Sequence, residues 1–220
     1  MPNWCSTRYV LCSDDNQELI DLYERMKRLQ EMKEPLKPNG FGTTWLGNLV
    51  EDLGVDFNKV QCRGSWDGLT MEGETLRFWT ETAWYRCTEV EDLIREKYPS
   101  IEIFFLCEEP GMCIYEKNSD VYFDEEYIVD YSAGDSYYLS EAGALQELSD
   151  IFGIDFADIN EALILVEEHN DKEDNDDDQI YVHKFELVIV IILLVIMLFN
   201  ENQSFIDISE VYSKNIGEFL

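Results

Sequence analysis

The stretch Thr75–Cys107, TLRFWTETAWYRCTEVEDLIREKYPSIEIFFLC, decides how the chain is read. Its first part alternates as a strand does. Leu76, Phe78, Thr80, Thr82 and Trp84 share one face, and Arg77, Trp79, Glu81 and Ala83 share the other. Thr88 then caps a helix that runs to Lys97, and Pro99 stops it. Ile101 to Cys107 follows as a strand with an apolar centre.

Working outward, the same unit precedes it. Trp4 to Ser13 reads as a strand, and Asp14 and Asp15 offer a cap. Gln17 to Lys33 reads as a helix with Leu19, Ile20, Leu22, Tyr23, Met26 and Leu29 at helical spacing. A short helix is expected over Trp45–Leu53 and a strand over Val60–Trp66. On the far side, Glu108-Glu109-Pro110-Gly111 reads as a turn. Met112–Glu116 and Val121–Tyr131 are expected to continue the sheet. Helices are expected after Ser140 and over Asp158–Glu168. Two segments echo each other, Glu51–Phe57 and Asp150–Phe156; both read as a helix end, a capping glycine and an apolar anchor.

The order strand–helix–strand–strand–helix–strand predicts an α+β fold: a ferredoxin-like split βαβ antiparallel sheet with additional helices and a C-terminal appendage. The expected domains are a main domain over residues 1–168, an acidic linker over 169–179 and a C-terminal piece over 180–220. Within that piece, Leu187–Phe199 is an apolar run of 13 residues, where a spanning helix needs about 20. A buried element or a self-association surface is favoured over a membrane span.

A resemblance enters on particular residues. The opening Met1-Pro2-Asn3-Trp4-Cys5-Ser6, the strand Phe78–Trp84, Tyr98-Pro99 and Phe105–Gly111 resemble the YubB-type ferredoxin-like proteins carried by phages, plasmids and integrative elements. The resemblance spans roughly residues 1–132. Where that family has a Trp-Gly-containing segment, this chain has Cys62-Arg63-Gly64-Ser65-Trp66-Asp67. What it implies is a fold and a mobile-element origin; it assigns no catalytic residue.

Charge carries the functional reading. The formal net charge is −31 over 220 residues. Residues 1–100 hold 18 acidic and 12 basic side chains, and residues 101–220 hold 29 and 4. Such a field repels nucleic acid and anionic lipid and attracts basic surfaces. No phosphate-cradling glycine loop appears, so nucleotide chemistry lacks its usual motif. The two histidines, His169 and His183, have no nucleophile and orienter placed around them by the sequence. Asp174, Asp176 and Asp178 have the spacing of a calcium loop, but Gln179 and Phe185 stand where its Gly and Glu belong. The six cysteines form no C-x-x-C pair and read as buried free thiols in a reducing, cytoplasmic setting. The chain opens without a basic and apolar leader. No cofactor or metal is expected, and an enzyme is the least supported class.

Read as a strand, Val121–Tyr131 places Asp124, Glu126 and Asp130 on one face, with Ile128 interrupting the row. Asp124 and Glu126 would then lie about 6.8 Å apart, loosely comparable with the phosphates of a nucleic-acid strand. Glu108, Glu109, Asp120 and Asp135 would add to the field, with Tyr122, Tyr137 and Tyr138 as aromatic anchors. The expected function is therefore an acidic nucleic-acid-mimic inhibitor. Its partner would be a basic nucleic-acid-binding protein, such as a CRISPR effector or a restriction enzyme of a host defence system. The alternative is a self-associating module that pairs through residues 187–199, its acids serving solubility.

Overall fold

The computed structural model describes residues 3–131, 136–172 and 179–188. The chain divides into a unit over residues 1–188 and a second over 189–220, which lies outside the described residues. So does most of the expected apolar run, and so do Asp174, Asp176 and Asp178.

The first unit is a mixed α+β domain with two sheets. Its strands are β1 (Trp4–Ser13), β2 (Gly64–Glu72), β3 (Thr75–Ala83), β4 (Ile101–Glu109), β5 (Ile114–Lys117), β6 (Tyr127–Tyr131), β7 (Ser136–Leu139), β8 (Ile180–Lys184) and β9 (Glu186–Leu187). Its helices are α1 (Asn16–Gln30), α2 (Leu46–Asp52), α3 (Thr88–Lys97), α4 (Glu141–Phe152) and α5 (Ile159–Asn170). The larger sheet has the order β2-β3-β1-β4-β5-β9, and the smaller one β7-β6-β8. Every pairing is antiparallel except β5 with β9.

Alternation in β1 shows how the layers arise. Cys5, Tyr9 and Leu11 point to one side, where α1 brings Leu19, Leu22, Met26 and Leu29, α2 brings Leu46, Leu49 and Val50, and α3 brings Val90, Leu93 and Ile94. Val10 points to the other side. There it joins Leu106, Tyr115, Phe123 and Phe185, and Ile128 of the second sheet. The opposite face of β6 carries Tyr127 and Val129, which pack with Ile180 against Ala144 and Leu148 of α4 and Ile159, Ala162 and Val166 of α5. The domain is thus helices, sheet, sheet, helices.

Local chemistry fixes the ends. Asp15 accepts from the Gln17 N–H and starts α1; Ser140 and Asp158 do the same for α4 and α5. The two echoed segments close their helices alike. Gly54 and Gly153 take left-handed backbone (φ 85° and 65°), and the next residue donates back five positions, Val55 to Val50 and Ile154 to Ser149. A polar network inside the first layer holds α3 to the sheet. Arg86 Nη1 donates to Glu91 Oε1 at 2.6 Å, Tyr9 donates to the same oxygen at 2.8 Å, and the guanidinium lies 3.8 Å from the Phe105 ring centre. Burial alone would depress the Arg86 guanidinium, but Glu91 and Tyr85 hold it above its usual value.

Three expectations change. Val60–Trp66 is not the strand: β2 begins at Gly64, because the Gln61 N–H is taken by Glu89 and residues 57–59 form a 3-10 turn. At Gly64 the sheet comes so close that an added Cβ would stand 2.3 Å from the Glu81 carbonyl. The strand expected over Val121–Tyr131 is only Tyr127–Tyr131. Lys117, 3% exposed, turns its ammonium onto the Phe123 and Glu125 carbonyls, and Ser119 Oγ accepts from the Val121 and Tyr122 N–H groups. Those backbone groups are therefore engaged in a loop. Finally, residues 180–188 are not a separate piece. Ile180–Lys184 pairs along the whole of β6, Asn170 clamps Ile180 through both its N–H and its carbonyl, and the unit extends to Val188. The run from 173 to 178 that was expected as linker lies outside the described residues.

Leu148 is wholly buried between α4 and the small sheet, whereas Ile164 on the outer side of α5 is 60% exposed. Leu148→Ala is expected to lower the stability read by urea unfolding by about 2–5 kcal/mol, and Ile164→Ala to change it by less than about 0.5 kcal/mol. Equal costs for the two would contradict the layered core.

Candidate functional site

The outermost helical layer is where acid accumulates. Residues 141–171 contain nine acidic side chains and neither Lys nor Arg. Eight of the nine are exposed: Glu141, Asp150, Asp155, Asp158, Glu161, Glu167, Glu168 and Asp171. The ninth, Glu147, turns inward to accept from the Tyr131 hydroxyl at 2.6 Å. Apolar positions explain the geometry. Ala144 and Leu148 of α4 and Ile159, Ala162 and Val166 of α5 face the sheet, so helical periodicity forces the charged positions outward. Some of these acids also serve the helices. Asp158 caps α5, Glu161 accepts from the Ala157 N–H, and Glu168 meets Lys172, just past the helix, at 3.5 Å. Ile154 and Ile164 stand exposed within this layer (47% and 60%). The opposite helical layer differs: α1 carries three acids and three bases.

The residues expected from the sequence do not form one flat row. Asp124 is exposed and Glu126 half-buried, and both border a groove with Lys117, Asp120, Lys184 and Glu186. Asp120 is exposed but pairs with Lys117 Nζ at 2.7 Å. Asp130 is half-buried, and it sits at alternate positions with Ile128, which is buried between the sheets. The alternation in β6 was read correctly, but the face assumed to meet solvent meets the large sheet. Glu109 is 1% exposed and cannot reach a partner; its Oε1 accepts from the Gly111 N–H at 3.1 Å. Asp135 lies outside the described residues. Tyr122 is half-buried against Phe104 (4.5 Å between ring centres) and accepts from the Cys12 thiol at 3.0 Å. Tyr137 is exposed, with its ring edge-on to Tyr131.

Glu108 belongs to a second constellation, where the small sheet meets the large one. Tyr138 donates to Glu108 Oε1 at 2.6 Å. Arg8 Nη1 donates to Glu125 Oε1 at 2.8 Å, and its guanidinium lies 5.2 Å from the Tyr138 ring centre and 5.7 Å from that of Phe123. Burial holds the Glu108 carboxyl above its ordinary value; Asp130 and Glu81 push the same way, against Tyr138 and Arg8. Burial raises Glu81 as well. His183 stacks on Tyr115 at 4.3 Å, and burial lowers its imidazole while Asp130 opposes. His169 stands edge-on to Phe152.

All six cysteines are free thiols. Burial pushes Cys62 up to about 11 and Cys87 up to about 12, so these thiols lack nucleophilic character near neutral pH. Among the described residues, no group of three or more His, Cys, Asp or Glu side chains is arranged to hold a metal ion, and no helix is long and apolar enough to cross a membrane. No family model, no curated protein and no solved structure matches the chain.

The acidic layer was missed from the sequence because its residues are dispersed. The available signal was the absence of Lys and Arg through 141–171, joined to the helical spacing of Glu161, Ile164 and Glu168.

Because burial favours the protonated Glu108, its ionised form costs stability. The favourable contribution of the protonated carboxyl is present below the ordinary carboxylate range and lost as pH rises through the raised value in the fold. Glu108→Gln should therefore raise the urea midpoint relative to the parent chain at pH 7, and the gap should close as pH falls below about 4. A gap independent of pH would contradict this account.

Proposed function

We propose that the chain is an acidic binding protein whose α4–α5 layer occupies the basic, nucleic-acid-binding surface of another protein. The observation that carries the reading is the run 141–171, nine acids without a Lys or Arg, eight of them exposed on one helical layer. A surface of one sign steers a basic partner and competes electrostatically with the polyanion that partner normally holds. Exposed Ile154 and Ile164 supply apolar contact within the charged surface, the usual anatomy of an interface. The class of partner is a nucleic-acid-acting enzyme of a host defence system, a CRISPR effector or restriction nuclease. That choice follows the mobile-element resemblance of residues 1–132 and the sign of the charge. The four-stranded core is assigned as ferredoxin-like. The order β2-β3-β1-β4, all antiparallel, with crossovers α1–α2 and α3 on one face, supports that assignment. The small sheet and α4–α5 are additions to it.

The test is competition. The chain is titrated against a panel of such enzymes pre-bound to labelled duplex DNA, at low and high salt. It should displace DNA from its target, and this should weaken on the order of tenfold or more with added salt. The triple variant Asp150→Lys/Glu167→Lys/Glu168→Lys should lose displacement by a similar factor. Its substitutions lie in the last turns of α4 and α5, where cations suit the helix, so folding should be kept. A target that holds chain and DNA together, or a triple variant that displaces DNA unchanged, would overturn the reading.

A further inference from the structure

The small sheet ends on an open edge. In the order β7-β6-β8, strand β8 has β6 on one side, and no strand lies on its other side among the described residues. Asn170, at the end of α5, shows how that edge is built. Its side-chain amide accepts from the Ile180 N–H at 3.0 Å and donates to the Ile180 carbonyl at 2.7 Å, as a neighbouring strand would. Both backbone groups of Ile180 therefore point away from β6. On the next residue of an antiparallel strand the groups point the other way, and the pattern repeats every two residues. The Phe185 N–H, which meets the Glu126 carbonyl at 2.8 Å, keeps the same phase. Val182 and Lys184 thus turn their N–H and C=O groups outward, in line with the rung that Asn170 fills.

The edge opens onto a groove with two unlike walls. Leu163, Glu167 and Asn170 of α5 and its C-cap Asp171 line one side, and Tyr181 and Val182 line the other. Leu163 and Val182 are partly buried against the core beneath. Glu167 and Asp171 are exposed, and the nearby lysines are directed elsewhere: Lys172 to Glu168, and Lys184 over the Tyr127 ring at 5.6 Å. An open edge offers backbone donors and acceptors to an extended chain. The acids give that chain a sign. At a net charge of −31 a second copy of this protein is repelled, and a basic segment is drawn in.

We propose that the groove between α5 and β8 takes an extended, basic segment of the partner protein, which adds to the small sheet as a fourth strand. Its backbone pairs with Val182 and Lys184 beyond the Asn170 rung. An apolar side chain lies beside Leu163 and Val182, and basic side chains meet Glu167 and Asp171. Strand addition takes its affinity from main-chain hydrogen bonds and its selectivity from alternate side chains. The edge of β8 therefore sets the shape of the ligand, and the acids of α5 set its charge. The inference rests on the reading of the chain as a ligand for a basic protein, and it names the element of that partner which the acidic layer recognises.

The test uses the full chain and a capped peptide, Lys-Val-Lys-Val-Lys-Val, whose binding is followed by saturable NMR shift changes in the Val182 and Lys184 amides. Two further peptides carry N-methyl groups, one on the valine amides and one on the lysine amides. Only one of these sets faces β8, so one methylated peptide should bind as the unmodified peptide does and the other on the order of tenfold more weakly. A peptide with glutamine for lysine should bind more weakly and lose the salt dependence. Val182→Pro should abolish binding. The Val182 N–H faces away from β6, where proline is tolerated, so the fold should be kept. No saturable shift at β8, equal binding of the two methylated peptides, or undiminished binding of the glutamine peptide overturns the inference. A concentration-dependent dimer on a sizing column, lost in Val182→Pro, assigns the edge to a second copy and overturns it as well. If Val182→Pro displaces DNA from the target as the parent does, the strand site falls alone. If the peptide binds as described and no DNA is displaced, the proposed function falls and the strand site remains.

Discussion

Strand β6 is apolar on both faces, and the domain follows from that. Tyr127 and Val129 cannot share a side with Ile128, so each face needs its own cover. The large sheet covers one and α4–α5 cover the other. A sheet of three short strands has no independent stability unless it packs so. The cover also decides where charge can go. Once α4 and α5 commit Leu148, Ala162 and Val166 to β6, their remaining positions face water and carry the acids.

The same constraint explains why polar groups collect where the sheets meet. The face of β6 that holds Ile128 also holds Asp130, and Tyr138 and His183 stand opposite Ile128 on either side. Laid on Arg8 and Glu108 of the large sheet, these side chains are drawn partly out of water. Some find partners, as Tyr138 and Glu108 do, and His183 stacks on Tyr115. Burial nonetheless keeps the Glu108 carboxyl above its ordinary value. The acidic helical layer and the polar seam between the sheets are thus two results of one packing arrangement.

Much of this was legible in the sequence. The apolar spacing of Leu19, Leu22, Met26 and Leu29, the caps Asp15 and Ser140, and the matched glycine closures at Gly54 and Gly153 are local signals, and local bonds realise them. The alternation in β3 marked Leu76, Phe78, Thr80 and Thr82 as the buried face. What escaped was non-local. Nothing within Val121–Glu126 announces that the ammonium of Lys117 will take two of its carbonyls and stop the strand from starting early. Nothing in Ile180–Lys184 announces β6 as its partner across the acidic segment. Glu109 looked like a surface acid because acids usually are; its burial follows from a turn that uses it as a cap. The candidate surface moved for the same reason. A period of two in β6 was read correctly, but which face met water depended on the rest of the chain.

The central claim is that the α4–α5 layer is the part of this chain that meets its partner. Hydrogen exchange on the complex with a basic nucleic-acid-binding enzyme tests it directly. The account predicts new protection concentrated in residues 141–171 on complex formation, with α1 unchanged. Protection confined to α1 and α2, with 141–171 exchanging as in the free chain, would contradict it.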